Sequence, residues 1–415
     1  MLKLLFLPIS TSYIRLCASY IYCSIKFYSV LTLLKYYTLT PNVNLLLSGL
    51  PRHSINVVFA YRMEPLIFSS NLRHITDFFF ASTIIQTLAI PFAILNVHFC
   101  PITYRKPFLL GVALSIGSVA LYKLNKPAPS LYSSLEESPV YLLHLRTIQY
   151  FEHNVLVTAF AWHPTIISTV GLTLSSGEVA LRSTTSGEDS QDIVTLYSHD
   201  LEAWTLAFQR EGIGLLSGGD DSTLRFQSLH SHHKGYMSGT TLEEEEQGKD
   251  VLLSLSTYLK DENRPKTCWT DKKIHDAGVT AILPLKDDVV VTGSYDDHIR
   301  IIQIPSISRR TVLAAMNLGG GVWRLKIVGN QTQVPQENPD GTVKVVLLVS
   351  CMHAGARLIE VAKAKDGTWS LQVLAKFEEH KSMNYGSDFQ PADEGGERLF
   401  VSTSFYDRLL CLWKF

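Results

Sequence analysis

Val290-Val291-Thr292-Gly293-Ser294-Tyr295-Asp296-Asp297-His298-Ile299-Arg300-Ile301-Ile302 reads as two β-strands joined by a tight turn. The first run is β-branched and apolar, which suits a pleated, buried surface. Aspartate at the centre tolerates the positive φ that a hairpin turn demands. After the turn, Ile299 and Ile301 alternate with Arg300, the period of a half-buried strand.

The same unit recurs on both sides of this stretch. Upstream stand Leu109-Leu110-Gly111-Val112 with Ser118-Val119-Ala120-Leu121, then Thr169-Val170-Gly171-Leu172 with Glu178-Val179-Ala180-Leu181, then Leu215-Leu216-Ser217-Gly218-Gly219 with Thr223-Leu224-Arg225-Phe226. Downstream come Leu348-Val349-Ser350-Cys351 with Leu358-Ile359-Glu360-Val361, and Phe400-Val401-Ser402-Thr403-Ser404 with Leu409-Leu410-Cys411-Leu412-Trp413. Units of about 40–75 residues, all β and separated by variable insertions, read as propeller blades. The closing Leu412-Trp413 is similar to the tryptophan that ends a WD-repeat strand. The expected fold is therefore an all-β, WD-repeat-type β-propeller over residues 88–415. Six blades are recognisable, where seven would be usual.

Residues 1–87 follow a different pattern. They carry seven Lys/Arg and two acids, whereas the whole chain of 415 residues is nearly balanced at 37 Lys+Arg against 38 Asp+Glu. The apolar stretch Leu4–Leu34 is broken by Arg15 and Lys26, and Pro91 divides Phe78–Phe99. A spanning helix wants about 20 uninterrupted apolar residues, so an apolar extension outside the propeller is the favoured reading. A targeting or membrane segment is the other. The overall charge balance gives no ground for a nucleic-acid partner. Six scattered cysteines include no C-x-x-C pair, which excludes the common zinc-ribbon and thioredoxin patterns and suits a reduced, cytosolic compartment.

Two insertions interrupt the blades. One holds His230, His232 and His233 and then Glu243–Glu246. The ligand spacing matches no zinc-site type, so a solvated loop is preferred to a metal site. The other, Gln331–Thr342, reads as a surface hairpin. No nucleophile elbow, P-loop, H-E-x-x-H or dinucleotide fingerprint occurs. On motifs alone the chain reads as an interaction scaffold, the commonest use of this fold.

Several blade sequences go beyond generic spacing: Leu201-Glu202-Ala203-Trp204, His275-Asp276-Ala277-Gly278-Val279-Thr280, Gly319-Gly320-Gly321-Val322-Trp323-Arg324, Cys351-Met352-His353-Ala354-Gly355, His380-Lys381-Ser382-Met383-Asn384-Tyr385-Gly386-Ser387-Asp388 and Ser404-Phe405-Tyr406-Asp407. In this order they resemble the diphthine methylesterase family, WD-repeat enzymes of diphthamide biosynthesis. The resemblance covers about Leu88–Phe415, and the family's first blade has no recognisable counterpart in residues 1–87. It implies hydrolysis of the methyl ester of methylated diphthine on elongation factor 2, with release of methanol, in the cytoplasm and without a metal or organic cofactor. A non-catalytic scaffold for protein–protein interaction, or a membrane-tethered propeller in trafficking, is the competing expectation.

Ester hydrolysis needs an activated water or nucleophile and a donor for the oxyanion. In a WD-type propeller, the loops into the innermost strands and the second-to-third-strand turns share one face. His353 sits at such a turn and is the expected general base, with Asp296 and Tyr385 as rivals; a histidine bonded within its turn is the plain alternative. Trp204, Trp323, Tyr385 and Tyr406 are expected near the same rim, gripping substrate or packed as core. Arg324 is read as holding a carboxylate or oxyanion, or as one half of a structural ion pair. Asp220, Asp296 and Asp407 read first as turn aspartates that accept backbone N–H bonds. Ser294 and Ser404 are nucleophile candidates or members of a His–Ser–Asp bonding network that includes His275.

Overall fold

The structure, a computed structural model, describes residues 3–5, 14–17, 43–50, 54–62, 80–100, 108–125, 141–166, 169–184, 193–209, 212–229, 268–286, 288–305, 309–329, 338–389, 398–407 and 409–415. His230, His232, His233 and Glu243–Glu246 lie outside them. Every regular element among the described residues is a strand, and no helix of theirs is long and apolar enough to cross a membrane.

Each sequence unit is an antiparallel sheet. The first is β6 (Ile94–Phe99), β7 (Phe108–Leu114), β8 (Ser118–Asn125) and β9 (Tyr141–Gln149). The second is β10 (Val157–Trp162), β11 (Thr169–Leu174), β12 (Glu178–Ser183) and β13 (Ile193–Ser198). The third is β14 (Ala203–Phe208), β15 (Gly214–Gly219), β16 (Leu224–Ser228) and β17 (Cys268–Asp271). The fourth is β18 (Val279–Lys286), β19 (Val289–Ser294), β20 (His298–Gln303) and β21 (Thr311–Asn317). The fifth is β22 (Arg324–Val328), β23 (Val343–Ser350), β24 (Ala356–Lys363) and β25 (Trp369–Phe377). The sixth contains β26 (Asn384–Phe389), β27 (Leu399–Ser404) and β28 (Leu410–Lys414). First strands lie side by side in the order β6, β10, β14, β18, β22, β26, the arrangement of propeller blades around an axis.

The apolar core lies between blades. Val291, Ile299 and Ile301 of the fourth sheet pack with Val345, Leu347 and Ile359 of the fifth. Phe389, Phe400 and Trp413 of the sixth pack with Leu348 and Leu358 of the fifth. Glycines in four of the second strands, Gly111, Gly171, Gly218 and Gly293, belong to this packing. A Cβ on Gly293 would stand 2.3 Å from Val322 Cγ1, and one on Gly218 2.6 Å from Val279. Only a bare backbone lets the neighbouring blade approach so closely. Among the hairpin turns, Gly177 carries φ of +86°, while Ser222 and Asp297 take the same left-handed region at 59° and 64°.

The described residues of 1–87 are all in strands. β2 (Ile14–Cys17) pairs antiparallel with β28 and β1 (Lys3–Leu5) with β2, so the sixth sheet runs β1-β2-β28-β27-β26. Chain-end pairing of this kind supplies a blade with its outer strand. In addition, β3 (Val43–Leu50), β4 (Ser54–Arg62) and β5 (Phe80–Ala89) form a three-stranded antiparallel sheet. β5 leads directly into β6 and lies against β9, as the outer strand of every later blade leads into the next first strand. No turn signature of the Gly-Ser-Tyr-Asp kind marks this three-stranded sheet in the sequence.

Candidate functional site at the channel mouth

Structural histidine networks come first, because they decide which polar residues remain for chemistry. His199 Nε2 bonds Ser217 at 2.7 Å, and its Nδ1 bonds Thr223 at 2.8 Å and Asp221 at 3.0 Å. His275 Nε2 bonds Thr292 at 2.9 Å. His380 Nε2 bonds Ser402 at 2.8 Å, and Trp413 Nε1 donates to the same hydroxyl at 3.2 Å. In the third blade the network aspartate is Asp221, not Asp220. Burial alone would raise the Asp221 carboxyl, but bonds from His199, Thr223 and the Asp200 amide outweigh it and hold it well below the usual range.

Asp296 is occupied in the same way. It accepts from the amides of Asp276 and His298, each at 3.0 Å, and pairs with Arg300 at 2.8 Å. Burial opposes ionisation there, and those donors overcome it, so its pKa falls. Ser294 donates to the Ala277 carbonyl and accepts from the Asp296 amide. Ser404 donates to Asp407, which also accepts from the Lys381 amide. Each of these groups is bound into its turn.

The aromatic candidates behave differently: they meet. Trp204 follows the first residue of β14, Tyr295 follows β19, Trp323 precedes β22, and Tyr385 follows the first residue of β26. They come from four consecutive blades, so their convergence places them over the axis. Trp323 is the hub, with ring centroids 5.8 Å from Trp204, 5.8 Å from Tyr295 and 5.2 Å from Tyr385. Phe405 continues the cluster 6.1 Å from Tyr385, and Tyr406 stands 4.4 Å beyond it, 73% exposed. The four hub rings are each half-buried.

The Gly319-Gly320-Gly321 run makes the hub possible. A Cβ on Gly320 would lie 2.3 Å from the Cys351 carbonyl oxygen, and one on Gly321 2.6 Å from Met352 Sδ. Glycine lets the chain pass beneath the Cys351–Met352 turn and deliver Trp323 to the axis.

Charge is placed within and below the rings. The Arg324 guanidinium lies 5.1 Å from the Trp323 centroid and donates to the Trp323 carbonyl at 3.2 Å. Burial lowers its pKa to about 10, with Tyr295 acting the other way; it remains a cation at neutral pH. Trp204 Nε1 donates to Asp220 at 3.1 Å. Burial raises the Tyr295 and Tyr385 phenols, so both are neutral hydrogen-bond donors. Deeper in, Lys326 of β22 pairs with Asp388 of β26 at 2.5 Å, and Asp388 also accepts from the Phe389 amide at 2.9 Å. Asp388 Oδ2 is buried without a partner among the described residues.

His353 is exposed in the turn between β23 and β24. It lines an open depression of about 600 Å³ with Asn317, Leu318, Gly319, Ala354, Arg357, Lys376 and Glu378. None of these belongs to the aromatic cluster. The structure thus brings Trp204, Trp323, Arg324, Tyr385 and Tyr406 together and sets His353 and Asp296 in separate surroundings. Sequence reasoning missed Tyr295, Phe405 and the Lys326–Asp388 pair. The signal for the pair was in view, since Lys326 and Asp388 are opposite charges in the first strands of neighbouring blades.

Fold and site define a WD-repeat β-propeller with an aromatic, cation-bearing channel mouth. No protein-family model matches the chain. It is similar to the diphthine methyltransferase of Schizosaccharomyces pombe, 27% identical over 310 residues and 74% of each chain. It is also similar to that of Saccharomyces cerevisiae, 25% identical over 355 residues, covering 74% of this chain and 79% of the other. Against the mouse protein of the same name it is 27% identical over 312 residues but spans 53% of that length. The resemblance carried by the blade motifs therefore holds in fungal and animal proteins alike. A chain in the crystal structure of the mitotic checkpoint complex superposes with a TM-score of 0.52 at 15% identity, over 90% of this chain and 84% of that one, which speaks to the fold.

Proposed function

We propose that this chain acts in diphthamide biosynthesis, hydrolysing the methyl ester of methylated diphthine on elongation factor 2. The observation that supports the reading is its similarity to proteins named diphthine methyltransferase in two yeasts, Dictyostelium, mouse and human. Water adds to the ester carbonyl, the tetrahedral oxyanion collapses, and methanol leaves with the proton that water gave up. The product is the free carboxylate that amidation to diphthamide requires. Elongation factor 2 presents the modified histidine as a protein loop, and the reaction takes place in the cytoplasm without a metal or organic cofactor.

In this reading the aromatic mouth is where the side chain docks. Arg324 is the donor for the oxyanion: a fixed cation beside low-dielectric ring faces stabilises developing negative charge more than water does. Trp204, Trp323 and Tyr406 hold the substrate loop. His353, in the β23–β24 turn, is the proposed base, and Tyr385, a neutral phenol nearer to Arg324, is the proposed proton donor to the departing methanol oxygen. Asp296, with both oxygens bonded, contributes through its turn. The experiment is a deletion of the gene followed by mass spectrometry of elongation factor 2. Methylated diphthine in place of diphthamide is expected. Normal diphthamide would refute the enzyme reading and leave the scaffold.

A further inference from the structure

Outside the aromatic mouth, polar groups from the fourth and fifth blades converge on the open depression of about 600 Å³. Asn317 closes β21, His353 stands in the β23–β24 turn, Arg357 is the second residue of β24, and Lys376 is the penultimate residue of β25. The turn is held from both sides. The Cys351 amide donates to the Gly355 carbonyl at 2.7 Å, and the Asn384 amide of the sixth blade donates to the Met352 carbonyl at 2.8 Å. Met352 takes a φ of 44°, which residues other than glycine rarely adopt. The edge of the depression is therefore a fixed surface. Gly319 at its side has a φ of +80°, and no atom lies within 4 Å of where its Cβ would stand.

The lining carries more positive than negative charge. Arg357 is 4% exposed, and its guanidinium is oriented by the Ala356 carbonyl at 3.1 Å and by Glu378 at 2.6 Å. Lys376 is exposed. Asn317 Oδ1 accepts from the Gly319 amide at 2.8 Å, which leaves its Nδ2 to donate elsewhere. Glu378 is the one carboxylate among the described lining residues, so Arg357 and Lys376 leave an excess of one positive charge. A single carboxylate matches that excess and suits the arginine fork. A phosphate dianion would exceed it and be repelled by Glu378. The depression also adjoins the mouth: Gly319 is four residues from Trp323, at most about 14 Å of extended chain. A protein that delivers a side chain to the mouth would lay a neighbouring segment across the depression. We propose that this depression docks an acidic segment of that protein, with an Asp or Glu carboxylate received by Arg357, Lys376 and the Asn317 amide. This rests on reading the mouth as the entry point of a protein side chain, and it is independent of whether hydrolysis follows.

The test uses the full chain and three end-capped peptides of serine and glycine that differ at one central residue: glutamate, glutamine or phosphoserine. Binding is followed by ligand-observed NMR. The glutamate peptide is expected to bind about fivefold or more tighter than the glutamine peptide, the scale of a charge-assisted contact at a rim. Lys376→Glu and, on the neighbouring blade, Asn317→Asp should each remove most of that preference while leaving the weak glutamine binding as it was. A misfolded variant would lose both. In hydrolysis of the methylated factor, Lys376→Glu should raise KM about fivefold with kcat unchanged. No binding of the glutamate peptide, equal affinity for glutamate and glutamine, a preference that survives both substitutions, or tighter binding of the phosphoserine peptide would overturn the proposal. A glutamate preference without hydrolysis of the factor would sink only the esterase reading. Hydrolysis with KM unchanged in Lys376→Glu would sink only this one.

Discussion

Replacing Lys326 by methionine tests how the mouth is held in place. Lys326 on β22 and Asp388 on β26 join the two strands that carry Arg324 and Tyr385, and their side chains are 16% and 1% exposed. Methionine keeps the volume of the aliphatic stem but removes the cation. Asp388 then keeps one described donor, the Phe389 amide, and its Oδ2 has none. Removing one partner of a buried pair costs about 3–5 kcal/mol, because a buried charge is left uncompensated. Chemical denaturation at pH 7.5 should show a loss of that size. Lys326→Met with Asp388→Leu should recover much of the loss, since an apolar pair of similar volume replaces the ion pair. A single-variant loss below about 1 kcal/mol, the range of exposed pairs, would refute the argument.

Other outcomes follow from the same geometry. Gly293→Val places atoms where Val322 Cγ1 already stands 2.3 Å from an added Cβ; overpacking should cost about 1–3 kcal/mol in a denaturant titration and displace the neighbouring Trp323, seen as a change in near-UV circular dichroism. Burial holds His163 and His275 at a pKa of about 4, against 6.5 unperturbed. A histidine kept neutral by folding contributes stability above its unfolded pKa and loses it as the pH falls. Each should therefore cost about 3 kcal/mol between pH 6.5 and 4, and His275→Gln should flatten that part of the stability profile. Deleting residues 1–17 removes β1 and β2 and leaves the β28 edge unpaired. A lower melting temperature is expected, and an unchanged one would show that this pairing contributes nothing.

The blades were legible because each repeats a local signal: a β-branched run, a turn that accepts positive φ, and an alternating run. Asp297 at 64° and Gly177 at +86° fill the turn role by different chemistry, and both are visible in the residues themselves. The outer strand of the sixth blade was not legible. It comes from Ile14–Cys17, almost 400 residues away in sequence from β28 (Leu410–Lys414), and an apolar strand carries no mark of its distant partner. The sheet of β3–β5 was hidden for a related reason, since it lacks the turn motif that makes the six blades stand out.

The site was legible in composition and not in geometry. Trp204, Trp323, Arg324, Tyr385 and Tyr406 could be placed at one rim by blade position, and they converge there. Tyr295 sat inside a Gly-Ser-Tyr-Asp turn that every WD repeat can carry, so its contact with Trp323 was invisible. His353 shares the face but lines a different depression, because the side of a turn on which a residue points is set by packing against the next blade. Asp296 shows the converse. Its turn position was read correctly, and the hydrogen bonds it collects from Asp276, His298 and Arg300 hold it there.

The most direct test of the central claim is a single-turnover assay. The purified chain is mixed with elongation factor 2 isolated from cells lacking this gene, and methanol is measured alongside the mass of the modified histidine peptide. The account predicts one methanol per factor, conversion of the methyl ester to the free acid, and loss of turnover in Arg324→Leu. No methanol with the ester intact, or uptake of a methyl group by the peptide instead, would contradict it.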